Sequence, residues 1–172
     1  FVRSFVFFIT IFLTPLWYLL VENPGWIPSW LSFIQVKEPN SVPVIVQLLF
    51  FEFALAGLKL ASLNTPNSLS NSFSVISALI LGEFAVQAHW FVPEVIMYMG
   101  LVAVGNYAQP SYELGYAFNL CRIMLLVLIA IFDYWGMILG LLVIIWLLAV
   151  NKTVSGRSYL YPLIPFNGTA LK

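Results

Sequence analysis

Residues 69–88 read Leu-Ser-Asn-Ser-Phe-Ser-Val-Ile-Ser-Ala-Leu-Ile-Leu-Gly-Glu-Phe-Ala-Val-Gln-Ala, and Glu83 is the one acidic or basic side chain among them. A helix of this length rises about 30 Å, the thickness of a hydrocarbon core. A carboxylate inside such a run has to be paired, wetted by a cavity or protonated, because isolated charge in hydrocarbon costs several kcal/mol. The fold must therefore supply a partner or water within an apolar bundle. At about 100° per residue, Ser70, Ser74, Ser77, Leu81, Phe84 and Ala88 share one helical face, and Ser72, Ile76, Leu79, Glu83 and Gln87 the roughly opposite one. One face suits a pore or cavity and the other a neighbouring helix, with Ser74, Ala78 and Gly82 as a small-residue ridge for close approach.

The remainder of the chain reads as the frame around that helix. Of its 172 residues 62% are hydrophobic and 8% charged, against about a quarter charged in soluble domains. This composition marks an integral membrane protein. With a net charge of zero and few, scattered basic residues, neither nucleic-acid binding nor a polybasic lipid-headgroup patch is supported. Cys121 lies in an apolar stretch and reads as a small buried hydrophobe. The chain begins Phe-Val-Arg-Ser-Phe without Met or a cleavage site, so residues 1–172 are expected to be a membrane-domain fragment, with any soluble N-terminal domain outside the chain.

Residues 1–21 are long enough to span, with Pro15 expected to kink them. Residues 22–42 bring Pro24, Gly25, Pro28 and Pro39 with Trp26, Trp30 and Phe33, the pattern of an interfacial loop with aromatic anchors. Residues 44–60 are apolar again but carry Glu52 and Lys59 on one face, two turns or about 10 Å apart. Each is expected to pair with another helix, snorkel to the interface or face water. The run 64–68 breaks the helix. Pro93 is placed to start the next span, which reaches Ala108, with Glu94 in its first turn and Gly100 and Gly105 for close contacts. Residues 114–132 hold Arg122, which needs a carboxylate from another helix or a wet lumen; Glu52 and Glu83 are the candidates. Residues 135–150 are uncharged, with Gly136 and Gly140 in helix-packing spacing. Arg3 at one end and Lys152, Arg157 and Lys172 at the other place both termini on the cytoplasmic side, which requires an even number of crossings. The expected fold is an all-α, polytopic transmembrane bundle of about six spans.

His89 with Glu83 or Glu94 lacks the HExxH spacing, and there is no second His. No Gly-x-Ser-x-Gly is present either. No metal, cofactor or catalytic constellation is therefore assigned, and the chain is not expected to be an enzyme.

The runs Leu63-Asn64-Thr65-Pro66-Asn67-Ser68-Leu69, Leu81-Gly82-Glu83-Phe84-Ala85-Val86-Gln87, Trp90-Phe91-Val92-Pro93-Glu94-Val95-Ile96, Pro110-Ser111-Tyr112-Glu113-Leu114-Gly115 and Tyr159-Leu160-Tyr161-Pro162-Leu163-Ile164-Pro165-Phe166-Asn167 resemble the membrane domain of the spore-germination A-subunit family. The resemblance covers essentially the whole chain in order. It implies a ring-forming, homo-oligomeric subunit of a monovalent-cation channel in the inner membrane of a bacterial spore, working with companion germination membrane proteins. It also implies that the helix matching residues 73–87 lines the pore. The Gly57-Leu58-Lys59 region departs from the sequence usual in nutrient-receptor members, which favours a member that amplifies the response. On this reading Ser70, Ser74, Ser77 and Leu81 line the lumen, Leu81 forms an apolar constriction, and Glu83 packs toward Arg122 or a neighbouring subunit. A transporter or permease, with broken helices at Pro66, Pro93 and Pro110, is the alternative, as is an assembly subunit of a germinant-receptor complex.

Overall fold

The computed structural model describes residues 2–37, 42–64, 87, 90–107 and 112–150. Helix α1 is Val2–Glu22, followed by two 3-10 turns, Pro24–Trp26 and Ser29–Ile34; α2 is Val44–Asn64, α3 Pro93–Tyr107, α4 Tyr112–Phe132 and α5 Tyr134–Val150. Among the described residues there is no strand.

The helices run in two directions. Trp17 of α1 stacks on Tyr98 of α3, with ring centroids 4.7 Å apart. Nearer the other end Thr10 lies against Gly105, so α1 and α3 are antiparallel. Phe7 meets Phe118 at 5.4 Å while Asn23 reaches Asp133, which makes α1 and α4 parallel. At the start of α2 the Gln47 amide donates to the Val42 carbonyl (2.8 Å), and its oxygen accepts from the Val92 backbone N–H (2.9 Å). The first turns of α2 and α3 are thereby fastened side by side. Thus α1 and α4 run one way, and α2, α3 and α5 the other.

At the end where α1 finishes, the 3-10 turns are drawn onto the bundle by Trp17, whose Nε1 donates to the Ile34 carbonyl at 2.8 Å. The interfacial loop expected over 22–42 is therefore partly regular, since Ile34 is buried while Trp26, Trp30 and Phe33 face outward. Trp90 and Trp135 are exposed at the same end, giving an aromatic girdle of the kind found at a membrane–water boundary.

α4 and α5 form a hairpin joined by one residue. Asp133 adopts φ 53°, a left-handed conformation that Asp tolerates better than most side chains. Its N–H donates to Ile129 (2.7 Å), and its carbonyl accepts from Gly136 (2.9 Å). A Cβ on Gly136 would collide with the Leu128 carbonyl, and one on Gly140 with Leu125 Cδ2. The Gly136/Gly140 spacing thus packs α5 onto α4 within one chain.

Pro93 begins α3, as its position predicts, and Glu94 lies in the first turn. The helix ends differ from expectation by a few residues: α2 continues to Asn64, α4 starts at Tyr112 and α5 at Tyr134. Among the described helices Glu113–Phe132 is long and apolar enough to cross a membrane, whereas Val6–Glu22, Val44–Gly57 and Tyr134–Val150 are shorter apolar runs. Outward-facing side chains include Phe53, Leu101, Val104, Leu120, Ile131, Leu142 and Trp146, while Glu52 and Arg122 lie inside.

Candidate functional site

Antiparallel packing of α2 on α4 turns two heptad spacings into two contacts. Glu52 and Lys59 are seven residues apart on α2, as are Gly115 and Arg122 on α4, so Glu52 meets Arg122 and Lys59 meets Gly115. Both partners of the ion pair are 0% exposed. Arg122 Nε donates to Glu52 Oε1 (2.5 Å) and Nη2 to Oε2 (2.7 Å), a two-pronged geometry that fixes orientation as well as charge.

The third arm, Nη1, donates to the backbone carbonyl of Thr10 in α1 at 2.8 Å. Pro15 has no N–H for the Ile11 carbonyl, so the helical ladder is interrupted beside Thr10. The Thr10 hydroxyl donates to its own helix at Val6 (2.6 Å), and the contact with Arg122 is made by the main chain. Gly105 of α3 lets Thr10 sit there, because a Cβ at 105 would strike Thr10 Oγ1.

Asn119, one turn before Arg122, completes the cluster. Its Nδ2 donates to Glu52 Oε2 (2.7 Å) and to the Glu52 backbone carbonyl (3.3 Å). The carboxylate accepts from two side chains, and the guanidinium spends all three nitrogens on α1 and α2. A buried pair is tolerated when its remaining hydrogen-bonding capacity is filled in this way.

Among the described residues, Glu52, one of the two candidates, is the carboxylate brought to Arg122. Glu52 does not snorkel, because the Arg122 fork and the Asn119 amide supply inside the bundle what an interface would supply outside. Lys59 Nζ lies against Gly115, 5.2 Å from the centroid of the Tyr116 ring, a cation–π distance. Ser70, Ser74, Ser77, Leu81 and Glu83 lie outside the described residues, and so does any contact of Glu83. Asp133 accepts from Asn23 Nδ2 at 2.6 Å where α1 meets the α4–α5 turn. Among the described residues no three His, Cys, Asp or Glu side chains converge on a metal-sized site.

Reasoning from charged residues alone passed over Asn119, Thr10 and Gln47. Asn119 had a signal, since it is three residues from Arg122 and shares its helical face. Thr10 acts through its main chain, which carries no side-chain signature.

The whole chain, residues 1–172, matches the family described as Bacillus/Clostridium GerA spore germination protein. Over 162 residues it is 38% identical to stage V sporulation protein AF of Bacillus subtilis (strain 168), an alignment covering 94% of this chain and 32% of that protein. Spore germination protein KA of the same organism is 27% identical, over 99% of this chain and 32% of its own length. Spore germination protein A1 is 28% identical, over 90% of this chain and 33% of its own length. The chain therefore spans about a third of these curated relatives. No solved structure matches it. With a family match from its first residue to its last, the chain belongs to the GerA spore germination proteins.

Proposed function

We propose that the chain is the membrane portion of a subunit of an oligomeric channel for monovalent cations, acting in spore germination in the inner membrane of the spore beside companion germination membrane proteins. Conduction through a wet axis is the proposed activity, with no covalent chemistry. Several copies surround the axis, and Ser70, Ser74, Ser77 and Leu81 line it.

The observation that carries the reading is the inverted polarity of the bundle. Glu52 and Arg122 are wholly buried, while Phe53, Leu120, Ile131 and Trp146 face outward, the arrangement of a protein solvated by acyl chains. The helix directions add support. Gln47 fastens the start of α2 to the start of α3, so α2 ends and α3 begins at opposite ends of the bundle. Both termini of the described helical set also fall at one end, which supports an even number of crossings. Glu52 and Arg122, bonded to each other and to α1, brace the subunit in this reading and leave conduction to the serine-bearing face.

Purified full-length protein in planar bilayers tests the proposal. Cation-selective unitary steps are expected, and Ser77→Trp should abolish them while the oligomer stays intact. Well-folded oligomers without conductance would refute it, and saturable, substrate-specific uptake without unitary currents would replace it with a transporter.

A further inference from the structure

Between α2, α3 and α4, on the Lys59 side of the ion pair, lies a cavity of about 20 Å³ whose polar lining comes from Lys59, Asn106, Tyr116 and Asn119. Asn106 Oδ1 and the Tyr116 hydroxyl are buried there and have no hydrogen-bond partner among the described residues. Buried polar groups in native proteins are almost always bonded to protein or ordered water. A methylene from lipid or a side chain would leave both atoms unsatisfied.

The cavity exceeds the ~10–15 Å³ that a water needs and is too small for a polyatomic solute. A metal cation is opposed by the Lys59 ammonium, which lines the same space. Water meets every requirement: it donates to Asn106 Oδ1, accepts from Tyr116 or Lys59, and finds a partner whichever way the Asn106 amide is turned. We propose that this cavity is a binding site for one structural water, held by Lys59 of α2, Asn106 of α3 and Tyr116 of α4.

The water satisfies Asn106 Oδ1 and the Tyr116 hydroxyl inside the bundle. It also extends the polar cluster, because Asn119 borders the cavity and donates to Glu52. Arg122, Glu52, Asn119 and the water then form one connected seam joining α1, α2, α3 and α4. The site is independent of the channel reading and can fail or stand without it.

X-ray radiolysis of the full-length protein in lipid nanodiscs in ¹⁸O-labelled water tests the site, since hydroxyl radicals formed from a bound water oxidise the side chain beside it. Tyr116 should take up label several-fold faster than Tyr98 and Tyr18, which are buried in the core, and faster than Phe53, which faces outward on α2. Asn106→Leu should return Tyr116 to the rate of Tyr98. Tyr116 labelling no faster than Tyr98 in the unsubstituted protein would overturn the proposal, as would equal labelling of Tyr116 and Phe53. The unsubstituted protein decides the matter even if Asn106→Leu does not fold.

Discussion

Replacing Glu52 by Leu removes two of the three hydrogen bonds made by Arg122 and leaves the guanidinium with the Thr10 carbonyl alone. Arg122 is 0% exposed, so neither water nor salt can compensate it where it stands. Breaking a buried pair by removing one member costs about 3–5 kcal/mol. At roughly 2–4 °C per kcal/mol for a cooperative unit of this size, the midpoint of the membrane portion's own thermal transition should fall by roughly 6–20 °C. Arg122→Met should cost a similar amount, because Glu52 would keep only Asn119. The double substitution Glu52→Leu/Arg122→Met removes both charges and fills the space with apolar atoms, so it should recover most of the loss. Heating purified full-length protein in detergent and following the monodisperse fraction gives the midpoints. Measuring at low and high salt adds a second check, since a buried pair is little screened and the differences should not change. Single substitutions costing under ~1 kcal/mol, as exposed pairs do, or an additive double would refute the reasoning.

The helix hairpin gives two further tests by the same heating assay. Gly136→Val drives a side chain into the Leu128 carbonyl, which is backbone and cannot swing aside, and should cost about 1–3 kcal/mol or more; Gly140→Ala meets only the end of the Leu125 side chain and should cost less. Asp133→Asn keeps an acceptor for Asn23 and tolerates the left-handed turn, so it should be close to neutral, whereas the β-branched Asp133→Val should destabilise clearly. Equal effects within either pair would contradict the geometry described for α4 and α5.

The architecture was legible where it depends on local chemistry. Pro93 announces the start of α3 because its missing N–H is harmless there, and Gly136 and Gly140 announce a close helix contact. The identity of that contact was not legible, because small-residue spacing says that a backbone can approach and not whose it is. Arg122 declared a need for an acid, but choosing between Glu52 and Glu83 requires the register of two antiparallel helices seventy residues apart in sequence. The matched spacing of Glu52 with Lys59 and of Gly115 with Arg122 held that register, once α2 and α4 are known to lie side by side. The three outcomes open to Glu52, pairing, snorkelling or facing water, could not be separated for the same reason: one helix viewed alone cannot show that another brings a fork and an amide to its carboxylate. The serine-bearing face and Glu83 lie outside the described residues, so their placement rests on sequence and family.

Because Arg122 grips α1 through the oxygen of a peptide unit, every residue type that fits at position 10 presents the same acceptor. Systematic alanine replacement along α1 would therefore score this attachment as silent, and sequence variation at position 10 would not report on it. Editing the main chain itself, for instance by exchanging that amide for an ester with its weaker carbonyl acceptor, is the perturbation able to expose it.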